Sequence, residues 1–356
     1  MAGFNGPALP VELQTIAGEF SLGGIVLFAR NVDEPAQVAE VAWRATQLLA
    51  DDLPPWVSVD QEGGRVARFK RPFTLWPPMA TLGRSGDPVL AGRFAAAMAA
   101  ELRAVGIMLD FAPVLDIFTN PKNTVIGDRA LSGDAAVVAA LGAAIIEAFE
   151  QAGLASCGKH FPGHGDTLAD SHHDLPIVEH DLQRLRAIEF EPFRAAIRAG
   201  VSSLMTGHVL VPEVDQSRPA TLSRAVVQGL LRDELGYQGL VFTDDMEMKA
   251  VAARMPVPTA AVEALAAGCD AVLVCSGNHD LQVATLEAII RAVETEELPF
   301  ARVEQALARQ RAAKNRFLRP GRTMASARGP RSASELQHLV GSEEHQAVAA
   351  DMARFA

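Results

Sequence analysis

Leu154-Ala155-Ser156-Cys157-Gly158 runs without a break into Lys159-His160-Phe161-Pro162-Gly163-His164-Gly165-Asp166-Thr167, and Asp170-Ser171-His172-His173-Asp174-Leu175-Pro176 comes soon after. The first five residues have the length and apolar bias of a buried strand, while two prolines and two glycines deny a helix to the residues after them. A strand therefore empties into a polar loop from about Lys159. Residues 159–176 hold four histidines and three aspartates. A solvated turn is built from Ser, Asn and Lys and has no use for so many groups that titrate or coordinate near neutral pH. The loop reads as chemistry carried at a strand end.

The same unit recurs outward in both directions. Residues 24–28 end in Ala29-Arg30-Asn31, 56–59 in Asp60-Gln61-Glu62-Gly63-Gly64-Arg65, and 106–109 in Asp110, followed by a long loop with Asp116, Asp128 and Arg129. Further on, 202–205 end in Thr206-Gly207-His208, 239–242 in Thr243-Asp244-Asp245-Met246, and 270–274 in Cys275-Ser276-Gly277-Asn278. Segments with apolar residues every three to four positions separate them, for example Val38, Val41, Ala42, Ala45, Leu48 and Leu49, which is the alternation of βα units. Helices are predicted near 88–105, 134–151, 181–199 with an interruption at Pro192, 280–295 and 301–317, and another capped by Ser223 and running to Leu235.

Seven strands result, with an eighth expected in residues 1–4 as the end of a truncated first strand. The fold class is α/β, a TIM-type (β/α)8 barrel over residues 1–318, with residues 319–356 as a linker and short helical C-terminal extension. Every chemically loaded residue lies just after a strand, on the one face where such barrels hold their active sites. A doubly wound sheet is the alternative, but neither a G-x-G-x-x-G motif nor a P-loop is present.

Composition narrows the classes of function. Half of the 356 residues are hydrophobic (49%), enough for a large core, and the net charge of −11 comes without a Lys/Arg block. Nucleic acid and anionic membrane are therefore not the expected partners. The N-terminus lacks the basic and apolar regions of a signal peptide, so a cytoplasmic location is expected. Cys157, Cys269 and Cys275 lie in apolar segments, as buried thiols would.

Three strand ends carry the candidate site. Asp244 and Asp245 are adjacent, so in a regular strand one faces the pocket and the other stands behind it; a carboxylate there suits a nucleophile, a base or a metal ligand, or caps the next helix. Asp170 and His172 are two apart, close enough for the carboxylate to orient the imidazole as an acid/base dyad, while His164 and His173 also read as plain hydrogen-bonding groups. Asp60 with Arg65 and Arg68, joined by Arg129 and Lys159, suits a hydroxyl-rich ligand, although Arg65 also reads as solvated surface. A metal-dependent amidohydrolase barrel is a rival reading, but Pro162 spoils a zinc pair at His160 and His164 and no His-x-His ends the first strand. A non-catalytic sugar-binding barrel is a third.

Together these motifs resemble glycoside hydrolase family 3, in particular its single-domain bacterial β-N-acetylhexosaminidases of peptidoglycan recycling. The likeness extends from about Gly3 to Phe317 and rests on residues 23–31, 60–66, 159–167 with 170–172, and 243–246. It implies a retaining mechanism with Asp244 as nucleophile and His172, assisted by Asp170, as acid/base. It further implies Asp60, Arg68, Arg129, Lys159 and His160 as groups that hold the sugar, with His208 as another pocket residue. The implied substrate is a small carbohydrate or muropeptide with terminal β-linked N-acetylglucosamine. No metal or organic cofactor is expected, and the chain is expected to be a monomer or weak homodimer. β-Glucosidase activity and phosphorolysis are the alternatives within the family. The glycines around His164 lead to the further expectation that the loop moves, carrying His172 over bound substrate.

Overall fold

A computed structural model describes residues 1–49, 53–167, 175–318 and 329–356. Among these, seven parallel strands form one sheet, in chain order: β1 (Gly24–Leu27), β2 (Trp56–Val59), β3 (Leu109–Asp110), β4 (Ala155–Phe161), β5 (Ser203–Thr206), β8 (Leu240–Asp245) and β9 (Ala271–Leu273). A short antiparallel hairpin, β6 (Leu210–Val211) and β7 (Asp215–Pro219), is inserted after β5. Helices cover the outside of the sheet, so β1, β2 and β5 are buried throughout and read as continuous runs rather than alternating ones. Even Ser58 is buried, its hydroxyl donating to the Ile25 carbonyl of the neighbouring strand at 2.8 Å.

Residues 1–3 lie between the two edge strands. Ala2 donates to Gly24 O at 3.0 Å and accepts from Val26 N at 3.0 Å, while Gly3 N donates to Val274 O at 2.9 Å and Val274 N to Met1 O at 3.1 Å. Thus the stub expected as a strand end does pair, with a bridge to Ile25 on one side and Val274 on the other.

Three expectations change in detail. β4 does not stop at Gly158 but continues through Lys159 and His160 to Phe161, so residues assigned to a loop are strand residues, and the strand ends only at Pro162. The helical stretch near Pro192 is two helices, Leu182–Ala187 and Glu191–Arg198; Pro192 sits in the first turn of the second, where its missing N–H costs nothing. The segment after Ser223 is wound wider than an α-helix over Ala225–Glu234, with hydrogen bonds spanning five residues.

Ala135–Ala152 is long and apolar enough by composition to cross a membrane, but it packs between Pro88–Ala104 and Glu191–Arg198 as a core helix. All three cysteines are buried and free. The C-terminal extension forms two short helices, Ala333–Leu336 and Glu343–Ala353. Its Leu336, Val340, Val348, Ala349 and Met352 join the same apolar cluster as Phe69, Phe94 and Leu102, so it shares the core of the sheet's helices.

Candidate active site

The C-terminal ends of the strands surround a cavity of about 590 Å³. Asp60, Arg68, Arg129, Lys159, His160 and Asp244 all line it, brought together from β4, β8 and the loops after β2 and β3. The parallel register explains the meeting: strands paired side by side end together, so residues distant in sequence share one rim.

On one wall Lys159, 2% exposed, places its Nζ 2.7 Å from Asp60 Oδ1 and 2.6 Å from Glu62 Oε1. Glu62 also receives both Nε and Nη2 of Arg129, at 2.9 and 2.8 Å, a two-pronged pairing of planar groups. Burial disfavours each of these charges, yet the pairing prevails. Glu62 is held well below the usual carboxylate range by Arg129 and Lys159 despite its burial. Lys159 is held above its ordinary value by Asp60 and Glu62, and Arg129 is likewise raised by Glu62, although burial works against both. Arg68 completes the wall 3.6 Å from Asp60 Oδ2. Arg65 is half-exposed and braces the rim, donating to the Thr124, Val125 and Ile126 carbonyls.

His160 faces the cavity from β4 and rests on Asp116, which is fully buried: the imidazole Nδ1 lies 2.6 Å from Asp116 Oδ2. Asp116 Oδ1 accepts from the His164 backbone N–H at 2.6 Å, so one carboxylate holds both ends of the turn from His160 to His164. Burial pushes Asp116 up, but the His160 ring and the His164 contacts bring it below its ordinary value. The His164 ring is bound by Thr167 Oγ1 at 2.6 Å, and burial lowers its pKa to about 4; it is a neutral hydrogen-bonding group that also lines the cavity. The close packing of this turn shows at Gly165, where a Cβ would come within 1.9 Å of the Ile117 carbonyl oxygen.

Asp244 is partly exposed at the end of β8. Burial raises its pKa, but the His160 and His208 rings, the Asp245 backbone N–H and Lys159 outweigh it, leaving the carboxyl below its ordinary value and ionised at neutral pH. Asp245 corrects the expectation that one aspartate faces the cavity and the other stands behind, because both line it. The pairing of β8 with β9 slips by one residue between Phe242 and Asp245, and such a bulge turns successive side chains toward one side. Burial pushes Asp245 up to about 7.

His208 is not among the residues lining the cavity. It is fully buried behind the end of β8, with Nδ1 2.8 Å from Thr221 Oγ1 and Nε2 3.0 Å from the Asp245 carbonyl oxygen. Asp170 and His172, and with them the expected movement of His172, lie outside the described residues. Sequence reasoning gave no role to Glu62 or Asp116, and it set one of Asp244 and Asp245 behind the pocket. Glu62 stood inside the quoted motif, and its position two residues after Asp60 was the available signal. Among the described residues no three His, Cys, Asp or Glu side chains are placed to share a metal ion.

An ionised carboxylate at the mouth of β8, facing a wall of paired carboxylates, guanidinium and ammonium groups, defines an enzyme site for a hydroxyl-rich ligand. The glycosyl hydrolase family 3 N terminal domain matches residues 11–312. The chain belongs to this family and is a glycoside hydrolase. It is 42% identical over 264 residues to the β-hexosaminidase of Thiobacillus denitrificans, covering 72% of each chain. It is 38% identical over 294 residues to that of Nitrosomonas eutropha, covering 80% of this chain and 83% of the relative. Among solved structures, a glycoside hydrolase family 3 β-N-acetylglucosaminidase from Paenibacillus sp. FPU-7 superposes with a TM-score of 0.93 at 41% identity, over 100% of this chain and 66% of that one. NagZ from Neisseria gonorrhoeae, in complex with N-trifluoroacetyl-D-glucosamine, superposes with a TM-score of 0.80 at 30% identity, over 100% of this chain and 97% of that one.

Proposed function

We propose that this chain is a retaining exo-β-N-acetylglucosaminidase acting on terminal β-linked N-acetylglucosamine. The observation that carries the reading is the ionised Asp244 facing, across one cavity, the Asp60, Glu62, Arg129, Lys159 and His160 wall. The names of the relatives, β-hexosaminidase and β-N-acetylglucosaminidase, support the same substrate.

In this reading the Asp244 carboxylate attacks the anomeric carbon while His172, protonated and paired with Asp170, gives its proton to the leaving oxygen. A covalent glycosyl-aspartate forms and the aglycone departs. His172 then takes a proton from water, whose oxygen attacks the same carbon and frees Asp244, so the configuration is retained. Asp60, Arg68, Arg129, Lys159 and His160 hold the sugar, with Glu62 keeping Lys159 and Arg129 charged and oriented. His208 acts from behind the end of β8, where its ring binds the Asp245 carbonyl oxygen and helps hold Asp244 below its ordinary pKa. The pairing of residues 1–3 with both edges of the sheet supports a closed eight-stranded barrel as the scaffold. Muropeptide fragments as natural substrate, a cytoplasmic location and a monomeric or weakly dimeric state complete the reading.

Release of nitrophenol from the β-N-acetylglucosaminide and from the β-glucoside, each with and without phosphate, tests it. The expected outcome is preference for the acetamido substrate, no gain with phosphate, and loss of activity in Asp244→Ala. Preference for the glucoside, or an Asp244→Ala variant of full activity, overturns it.

A further inference from the structure

The loop that leaves β2 supplies Asp60, Glu62, Arg65 and Arg68 to the cavity, and its return limb is fastened by the C-terminal extension, which lies beyond the 11–312 family match. The fastening point is Glu101, 3% exposed on the helix Pro88–Ala104. Its carboxylate accepts from the loop, Thr74 N at 3.0 Å and Thr74 Oγ1 at 2.6 Å. The same carboxylate accepts from the extension, Gly341 N at 2.9 Å and His345 Nδ1 at 2.8 Å. Backbone meets backbone beside it: a Cβ on Gly341 would lie 1.9 Å from the Pro72 carbonyl oxygen, and the φ of +64° at Gly341 is one that glycine adopts freely.

From Thr74 the connection to the cavity is short. Two residues on, the Trp76 carbonyl accepts from Gly64 N at 3.0 Å, between Glu62 and Arg65. On the outgoing limb the Gln61 side-chain oxygen accepts from Arg68 N at 2.7 Å and Phe69 N at 3.2 Å. Phe69 stacks on Phe73 at 4.6 Å, next to Thr74. The loop and the extension also share one apolar cluster, Phe69, Phe73 and Trp76 with Val340, Val348 and Met352.

We propose that residues 329–356 are a strap that sets the β2 loop for sugar binding, with His345 as a positioning residue acting through Glu101 and Thr74 on Glu62 and Arg68. The inference rests on the cavity being the sugar site. Its effect falls on ground-state binding, because the groups it sets hold the sugar and do not exchange protons or bonds with it. A carboxylate only accepts, so His345 Nδ1 donates, and an asparagine amide reaches the same position with the same donor.

Two measurements on the full-length chain decide it: kinetics with the nitrophenyl β-N-acetylglucosaminide, and amide hydrogen exchange read by mass spectrometry. For His345→Ala we expect KM to rise about fivefold with kcat changed by less than about twofold, and exchange in residues 61–76 to quicken about tenfold. His345→Asn restores both. Unchanged KM, with faster exchange confined to residues 329–356, overturns the strap and leaves the extension as packing alone. Should wild type fail to cleave the probe, the proposed function falls, and the exchange of residues 61–76 alone decides the strap: unaltered protection there in His345→Ala overturns it.

Discussion

The two ends of the sheet both bury charge, and they do opposite things with it. At the N-terminal end Asp270, just before β9, is ringed by Arg232 at 2.5 Å, Arg302 at 2.8 Å and Arg309 at 3.1 Å, and it accepts from Val241 N at 3.0 Å. Nearby, Glu150 accepts from the Ser156 and Ser202 hydroxyls at 2.6 Å each and pairs with Arg316. These carboxylates are spent on binding helices to strand starts. At the C-terminal end the chemistry is the same, carboxylate against Lys and Arg, but Asp60, Glu62, Arg129 and Lys159 stand on the wall of a cavity. Pairing without a cavity makes a clasp. Pairing beside one preorganises charged groups for a ligand whose hydroxyls can join the network.

Mutations that separate the two ends test this contrast. The largest effect is expected from Asp244→Ala: kcat falls about 10⁴-fold while the melting temperature stays within about 2 °C, since the group is removed from a cavity rather than from a clasp. Burst kinetics and calorimetry check it, and a large loss of stability would place Asp244 among the clasps. Asp270→Ala should behave in the opposite way, losing about 3–5 kcal/mol of stability by leaving arginines buried and unpaired, with KM of the folded fraction unchanged. Denaturant unfolding beside kinetics distinguishes the two. Glu62→Gln lies between them. It takes one charge from the Lys159 and Arg129 pairings, and we expect about 2–3 kcal/mol lost and KM raised about tenfold or more.

Smaller effects sharpen the picture inside the cavity. Asp116→Asn weakens the hold on His160 and on the turn to His164, and kcat/KM should fall about tenfold with the fold intact. A variant with unchanged kcat/KM would show that β4 alone fixes the imidazole. Asp245→Asn should act mainly through pH. The native Asp245 keeps its proton up to about 7, against an ordinary 3.8, so between those values the folded state binds a proton that the unfolded state does not. Stability from this group is present below about pH 4 and is lost as pH rises through about 7. The variant should therefore gain roughly 1 kcal/mol on wild type between pH 5 and pH 8, a modest figure because the group is partly exposed. Melting curves at the two pH values read it, and a constant difference would assign Asp245 an ordinary pKa.

Much of this was readable from residue order. Apolar runs ending in polar residues, separated by segments of helical period, overlap all seven sheet strands among the described residues, and strand ends identified the face of the site. Asp60, Lys159 and Asp244 could be named because charge stands at the end of an apolar run; Arg68 and Arg129 follow at a distance in the loops, and His160 was named as a sugar-holding group only through the resemblance to the family. The residues that sequence placed poorly are instructive. His208 obeys the same rule, yet Thr221 and the Asp245 carbonyl draw its ring behind the wall. Alternation in a regular strand would hide one of Asp244 and Asp245, and a one-residue slip against β9 exposes both.

The local order of residues determined the alternation of strands and helices, the side of the sheet that carries chemistry, and the aspartate pair at the end of β8, because each depends on the polarity of neighbours along the chain. Only the tertiary structure decided which charges meet. Glu62 between Lys159 and Arg129, Asp116 beneath His160, and Glu101 between Thr74 and His345 join segments from 27 to 244 residues apart to a single carboxylate. No periodicity records such meetings, since they depend on which strands lie side by side and where their ends fall.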